Sequence, residues 1–179
     1  MHGLQERGAV TTLTGNAESS TVRRGAPAGA SLRLAGAVAV AAVVVVVDQL
    51  TKWWAVDRLD VGPIHVIWTL DLALSRNTGS AFSLFQGDAA VLVVIAVILV
   101  TVLLVLVYRS PSISRAVIFG LIIGGAVGNL SDRMFRGDHG AVVDFIDFHF
   151  WPTFNVADAC IVVGCLLLAF SLFRPPPAS

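Results

Sequence analysis

The sequence predicts an all-α membrane protein in which four transmembrane helices form one compact domain. Of the 179 residues, 56% are hydrophobic and only 13% are charged, whereas a soluble domain averages about 25% charged residues. The hydrophobic residues are concentrated in four long runs. Each run is near the roughly 17–25 residues that a helix needs to cross the hydrocarbon core of a bilayer. A chain of this composition has lipid as its solvent.

The four runs follow a more polar N-terminal segment. Residues 1–31 are rich in Gly, Ala, Ser and Thr and predict a disordered tail. An open sheet would leave unpaired backbone groups in lipid, so the valine-rich runs are predicted to be helices. The first run leads into DQLTKWWAV without a small-x-small cleavage site, so we expect no cleavage there. The predicted spans are residues 32–56, 89–108, 113–130 and 155–173, followed by a tail at 174–179.

The positions of Lys and Arg predict the orientation of the helices, because cytoplasmic loops carry more of these residues. With a cytoplasmic N-terminus, seven Lys and Arg residues lie inside and five outside. The loop between the second and third runs, RSPSISR, carries only positive charge, and most Asp and Glu residues fall on the opposite side. We therefore expect both termini to be cytoplasmic.

Composition and motifs also exclude several classes. The net charge is zero and no basic block is present, so the sequence predicts no nucleic-acid partner. HExxH and CxxC spacings are absent, and we expect no metal site and no cofactor. Cys160 and Cys165 are five residues apart on one predicted helix and point about 140° away from each other, which argues against a disulfide.

Unusual polar residues collect at one end of the predicted bundle. The odd-numbered helices end where the even-numbered helices begin, so these residues share one face of the membrane, the outer one. A carboxylate in hydrocarbon costs roughly 2.5–3.5 kcal/mol on insertion scales, so such residues indicate a functional site. The group comprises Asp48, Gln49, Asn77, Asn129, Asp132, Arg133, Asp144, Asp147, Asn155 and Asp158.

Asn155 and Asp158 allow two interpretations. Asn155 is a good helix N-cap, and Asp158 three residues later can complete a capping box. Alternatively, Asp158 belongs to a catalytic pair. Two carboxylates in close contact share one proton, so one can deprotonate water while the other protonates a carbonyl oxygen, as in an aspartic protease. The helix dipole favours an ionised Asp158, so our hypothesis is that Asp158 is the base.

Two further classes of protein stay open on these observations. A proton or ion transporter also carries membrane carboxylates, but it predicts acids in the middle of the bilayer rather than at one face. A membrane scaffold without enzymatic activity predicts that the acids only cap helices. Substitution of the acids would separate that class from an enzyme.

Five motifs, in order along the chain, closely resemble those of the lipoprotein signal peptidase family, also called signal peptidase II. The resemblance covers residues 32–173, which is all of the chain except its tails. One of the motifs alone would be weak, but five in order on the expected spans and loops are specific. The motifs are DQLTKWWA (48–55), NTGSAFSLF (77–85), GGAVGNLSDRMFRG (124–137), VVDFIDF (142–148) and FNVADACI (154–161).

The resemblance implies an aspartic endopeptidase of the bacterial plasma membrane, with its active site at the extracytoplasmic face. Such an enzyme cleaves signal peptides from prolipoproteins before a cysteine that already carries diacylglycerol. We therefore expect lipidated prolipoproteins and membrane lipids as partners, and a monomer.

Residue by residue, the resemblance assigns catalysis to Asp144 and Asp158. Spacing alone does not distinguish Asp144 from Asp132, which we expect to pair with Arg133 or with a neighbouring backbone group. The resemblance also implies a second set of residues that line or brace the site, namely Asp48, Asn77, Asn129, Arg133 and Asn155.

The resemblance also implies a small β-cradle on the outer membrane surface, built from residues 60–85. The stretch HVIWTLDLALS within this range alternates as a strand does. The complete expectation is an all-α membrane protein with a small β addition. Glycines of the stretch GLIIGGAVGN (120–129) either permit close helix approach or leave room for a bound peptide. Four tryptophans either anchor the protein at the membrane interface or pack within loops, namely Trp53, Trp54, Trp68 and Trp151.

Overall fold

The computed structural model describes residues 28–79 and 89–173. Within these ranges, all four helices are long and apolar enough to cross a membrane, as predicted. The elements in chain order are α1 (Ala28–Leu59), β1 (Ile64–Ile67), β2 (Leu70–Asn77), α2 (Ala89–Arg109), α3 (Ile113–Phe135), β3 (Val142–Asp147) and α4 (Val156–Phe173).

Two helix boundaries differ from the predicted ones by four or more residues. Helix α1 begins at Ala28, so the last four residues of the predicted N-terminal tail are helical. Helix α3 continues to Phe135, five residues beyond the predicted end, because Asp132 in its last turns is buried in the protein. The rest of the predicted N-terminal tail, the tail at 174–179 and part of the predicted cradle segment (80–85) lie outside the described residues.

Helix α3 lies at the centre of the bundle and contacts α1, α2 and α4. Half of its most apolar segment is buried within the protein, compared with 11–17% in the other three helices. The other helices therefore leave most of their apolar surface available to lipid, whereas α3 buries about half of its apolar segment against its neighbours.

Glycines of α3 permit this close packing. A Cβ atom at Gly120 would lie 2.4 Å from the carbonyl oxygen of Ala37 in α1, and one at Gly125 would lie 2.5 Å from that of Ala157 in α4. Both separations are shorter than any real contact of a Cβ atom. Of the two interpretations of the glycine-rich stretch, close helix approach is therefore the one observed at these positions.

The three strands form one antiparallel sheet in the order β1-β2-β3. Strands β1 and β2 lie within the predicted 60–85 segment, whereas β3 was not predicted. Its first four residues, Val142 to Phe145, are all buried, so β3 lacks the alternation that marks a strand with one exposed face. In the register, Ser75 of β2 pairs with Asp144 of β3.

Asp71 of β2 contacts two histidines, one in β1 and one in the segment after β3. Asp71 Oδ1 lies 2.6 Å from His65 Nδ1, and Asp71 Oδ2 lies 2.9 Å from His149 Nε2. These two hydrogen bonds lower the pKa of Asp71.

Trp68 in the turn between β1 and β2 is 92% exposed and Trp151 is 65% exposed. Exposure of this extent fits anchoring at an interface better than packing within a loop.

Candidate active site

Nine of the ten predicted polar residues meet where α1 and α3 end and α4 begins, next to β3. Asp147 is the exception, and its Oδ1 accepts the N–H of His149 at 2.7 Å. Asp144 lies on β3 and is 1% exposed, whereas Asp158 lies in the first turn of α4. Asn155 connects them. Its Nδ2 donates to Asp144 Oδ1 at 2.6 Å, and its backbone N–H donates to Asp158 Oδ2 at 3.2 Å. One residue therefore binds both acids.

Asp158 uses its two carboxylate oxygens differently. Oδ2 accepts the Asn155 N–H, while the Asp158 N–H donates to Asn155 Oδ1 at 2.9 Å. This reciprocal pair is the predicted capping box. The other oxygen, Oδ1, accepts from Asn129 Nδ2 of α3 at 2.7 Å. Capping and membership of the polar site are therefore both observed.

A buried ion cluster lies behind these residues. Lys52 Nζ lies 2.9 Å from Asp48 Oδ2 and 2.9 Å from Asp132 Oδ2, and all three side chains are fully buried. The third contact of the ammonium group is Asn129 Oδ1, also at 2.9 Å. Asp48 Oδ1 accepts the N–H of Ala157 at 3.0 Å, which holds the start of α4 against α1.

Asn77 and Arg133 complete the predicted set. Asn77 ends β2, and its Oδ1 accepts the N–H of Gly79 at 2.8 Å. Arg133 lies within electrostatic range of Asp144, Asp158 and Asp132. Its only hydrogen bond among the described residues is a long one of 3.5 Å to the carbonyl oxygen of Asn129, and its buried Nε has no partner there.

Asp144 is an unusually weak acid. Burial, followed by the neighbouring charge of Asp158, raises the pKa of Asp144 to about 6, and hydrogen bonds from Asn77 and Asn155 act in the opposite direction. Near neutral pH, Asp144 therefore titrates in the range where a proton can be held and released.

Of the two partners expected for Asp132, the backbone group is the one observed. A neighbouring backbone group does bind it, since the N–H of Val143 donates to Asp132 Oδ2 at 3.1 Å. Its ionic partners are Lys52 and Arg136 rather than Arg133. Arg133 lies one residue further around the helix and turns toward the acids, whereas Arg136 at i+4 shares the face of Asp132.

Sequence reasoning missed two members of this cluster. Lys52 and Arg136 were counted among the outer charges, but Lys52 is fully buried and Arg136 donates to both Asp132 and Gln49. Gln49 was predicted to lie at this end of the bundle, and its Nε2 donates to Asp132 Oδ1 at 3.0 Å. The i,i+4 spacing of Asp48 and Lys52 at the end of an apolar run was the available signal, because such a pair can enter a membrane helix together.

An apolar groove runs along α4 from the polar site. Its volume is about 340 Å³, and Asp158 is the only charged residue among the described residues that line it. Among the described residues, no group of three or more His, Cys, Asp or Glu side chains is arranged to hold a metal ion. The groove is lined by Trp151, Phe154, Asp158, Ala159, Val162 and Val163.

Comparison with known proteins agrees with this architecture. The family model for signal peptidase (SPase) II matches residues 40–174. A lipoprotein signal peptidase of Mycolicibacterium smegmatis is 43% identical over 170 residues, which cover 92% of this chain and 69% of the relative. The lipoprotein signal peptidase of Caldicellulosiruptor bescii is 38% identical over 130 residues, covering 72% and 85% of the two chains.

A solved structure supports the same assignment. It is described as a bacterial membrane enzyme structure obtained by the in meso method, and it superposes with a TM-score of 0.70 at 28% identity. The match covers 78% of this chain and 94% of that one. Taken with the match to the family model over most of the chain, this likeness shows that the chain belongs to the signal peptidase II family of aspartic peptidases.

Proposed function

We propose that Asp144 and Asp158 are the catalytic pair with which this protein removes signal peptides from diacylglyceryl-modified prolipoproteins, cutting before the lipidated cysteine. The observation that carries the assignment is the bridge made by Asn155, which binds one carboxylate through its side chain and the other through its backbone. The two acids come from different elements, β3 and α4, so the fold has to bring them together.

The different surroundings of the two acids support distinct roles for them. Because the pKa of Asp144 is raised to about 6, Asp144 is the better holder of the shared proton. Asp158 sits in the first turn of α4 and accepts two hydrogen bonds, so it is the better candidate for the base. This arrangement agrees with the hypothesis from the helix dipole.

The reaction then follows general acid–base chemistry. Asp158 removes a proton from a water molecule, whose oxygen attacks the scissile carbonyl carbon, while Asp144 donates its proton to the carbonyl oxygen. Collapse of the tetrahedral intermediate breaks the C–N bond, and the departing amine takes the proton held by Asp158. The carboxyl product returns the other proton to Asp144. Because water is the nucleophile, no covalent intermediate with the enzyme is formed.

The remaining polar residues have supporting roles in this proposal. Asn129 and Asn155 hold the acids by hydrogen bonds, Asp48 fixes the start of α4, and Asn77 supports Asp144. Arg133 has a buried Nε without a partner among the described residues, so its guanidinium can donate to a carbonyl oxygen of the bound peptide.

The groove beside Asp158 fits the substrate. Its lining is almost entirely apolar, so a signal helix or an acyl chain can lie against α4 and reach the acids from the side. Each buried CH₂ group of an acyl chain contributes about 0.8 kcal/mol. A substrate already confined to the bilayer by its lipid and its signal helix can arrive by lateral diffusion.

We further propose a multi-pass location in the bacterial plasma membrane, with the acids at the extracytoplasmic face and both termini in the cytoplasm. The positively charged loop RSPSISR between α2 and α3 supports this orientation. We expect the protein to act as a monomer with lipidated prolipoproteins and membrane lipids as its partners.

The test is cleavage of a diacylated prolipoprotein by the purified protein in lipid or detergent. Asp144→Asn and Asp158→Asn should each abolish cleavage without unfolding the protein, and a chelator should have no effect. Asp57→Asn is the matched control, because Asp57 also lies near the end of a helix but its side chain is 65% exposed.

Two outcomes would contradict the proposal. Retained cleavage in either Asn variant would leave the acids with a structural role only, as a scaffold predicts. Loss of wild-type cleavage on chelation would point to a metallopeptidase instead. A transporter is disfavoured because the acids gather at one end of the bundle rather than along its length.

A further inference from the structure

Lys52 is the largest fully buried side chain among the described residues. An ammonium group in a membrane helix is costly to bury, so its contacts require an explanation. All three of its N–H groups have an acceptor, each at 2.9 Å, namely Asp48, Asp132 and Asn129. Two of these contacts are ion pairs, and the third is made to a neutral amide.

Asp132 does not depend on Lys52 alone for compensation. Arg136 Nε donates to Asp132 Oδ1 at 3.0 Å, and Gln49 and the N–H of Val143 also donate to this carboxylate. The ionic contacts therefore explain the charge balance of the cluster, but they leave the contact between Lys52 and Asn129 to be explained.

The contact with Lys52 determines which end of the Asn129 amide faces Asp158. Asn129 Oδ1 accepts from Lys52 Nζ at 2.9 Å and from Asn155 Nδ2 at 3.1 Å, which leaves Asn129 Nδ2 to donate to Asp158 Oδ1 at 2.7 Å. A flipped amide would direct its NH₂ group at the ammonium and its oxygen at a carboxylate. Both contacts would be repulsive.

We propose that Lys52 is a positioning residue for the cleavage reaction, acting on Asp158 through the amide of Asn129. Lys52 fixes the amide orientation and polarises it, so that Asn129 donates a strong hydrogen bond to the carboxylate that removes a proton from water. Because Asn155 donates to the same amide oxygen and also to Asp144, the orientation is communicated to both acids. The inference rests on the proposed function.

The expected signature is a loss in kcat rather than in substrate binding, because Lys52 is fully buried and lines no part of the groove. In Lys52→Met, kcat should fall about 10- to 100-fold, the range for loss of a hydrogen bond to a charged group, while KM stays within about twofold of wild type. Arg58→Met is the matched control, since Arg58 is on the same helix and its side chain is 68% exposed.

A double-mutant cycle separates positioning from general destabilisation. If Lys52 acts through Asn129, then adding Lys52→Met to an Asn129→Ala protein should lower kcat by less than about threefold beyond the single Asn129→Ala change. An equal loss in both backgrounds would overturn the inference, as would a Lys52→Met protein whose KM rises at unchanged kcat.

Lys52→Met leaves Asp48 without its cation and is expected to lower stability, so a compensated variant is needed. Asp48→Asn/Lys52→Met removes both charges, and Asn at position 48 can still accept the N–H of Ala157. This variant should fold and remain slow. Recovery of wild-type kcat would assign Lys52 to charge balance alone. Wild-type cleavage and its loss in Asp144→Asn are measured in parallel, so failure of the proposed function is seen separately.

Discussion

Asn155 and Asp158 exchange two hydrogen bonds at the start of α4, of 2.9 Å from the Asp158 N–H and 3.2 Å from the Asn155 N–H. The same Asp158 carboxylate also accepts from Asn129 at 2.7 Å. A proposed catalytic base therefore belongs to the cap of its own helix. The cap fixes the carboxylate relative to α4, and the contact with Asn129 fixes it relative to α3.

This double role predicts different stabilities for two inactive variants. Asp158→Asn keeps one acceptor oxygen and should unfold close to the wild-type temperature. Asp158→Ala loses the carboxylate half of the capping box, whereas Asn155 Oδ1 can still accept the backbone N–H of residue 158. A hydrogen bond of this kind contributes about 1 kcal/mol, so the variant should unfold about 2–4 °C lower. Thermal unfolding in one detergent measures the difference, and equal unfolding temperatures would mean that the carboxylate of Asp158 contributes nothing to the cap.

The raised pKa of Asp144 predicts the pH dependence of cleavage. The proposed mechanism needs one proton on the pair, and Asp144 loses its proton as the pH rises through about 6. The value of kcat/KM, which reports on the free enzyme, should therefore decline above that pH. Initial rates from pH 5 to pH 9 with a lipidated peptide provide the measurement. A rate that keeps rising to pH 8 would remove Asp144 as the acid.

The same pKa predicts how stability depends on pH. The pKa of Asp144 is higher in the folded protein than its ordinary value of 3.8, so folding favours the protonated form. The contribution is fully present below about pH 4 and is lost as the pH rises through about 6. The two-unit difference sets an upper limit of about 3 kcal/mol.

Comparison with Asp144→Asn isolates this contribution. The variant cannot ionise at position 144, so its unfolding temperature should exceed that of the wild type at pH 8 and approach it at pH 4. The measurement is a pair of unfolding curves at each pH. A difference that does not change with pH would contradict burial of an ionisable Asp144.

The helices were predictable because hydropathy depends on composition alone. Four runs of apolar residues became four helices with ends within a few residues of the predicted ones at most positions. The end of α3 was missed because its last two turns carry Asp132 and Arg133. These charged residues lower the local hydropathy and therefore predict a loop. In the structure Asp132 is buried against Lys52 and Arg136, and this compensation by other elements cannot be read from local sequence.

The composition of the site was partly predictable for a similar reason. The depth of Asp48, Asn129, Asn155 and Asp158 follows from their positions near the ends of spans, so their meeting at one end of the bundle was expected. The position of Asp144 depends on β3, and β3 is paired with β2 across more than 60 residues of chain. Local spacing contains no information on that pairing, which is why it could not separate Asp144 from Asp132.

The close contact between α3 and α4 supplies the last prediction. A Cβ atom at Gly125 would lie 2.5 Å from the carbonyl oxygen of Ala157, the residue before Asp158. Gly125→Ala should therefore move the start of α4, lower the unfolding temperature and reduce kcat at least about tenfold, since misplacement of a catalytic group by about 1 Å has effects of this size.

Gly36→Ala is the matched control for this change. Its Cβ atom would have its nearest neighbours at 3.9 Å, in the side chains of Ile113 and Val117, which is ordinary contact. In a helix, replacement of Gly by Ala is favourable by up to about 1 kcal/mol, so this variant should be at least as stable as the wild type and fully active. Similar behaviour of the two variants would mean that the approach of α4 to α3 at Gly125 does not position Asp158.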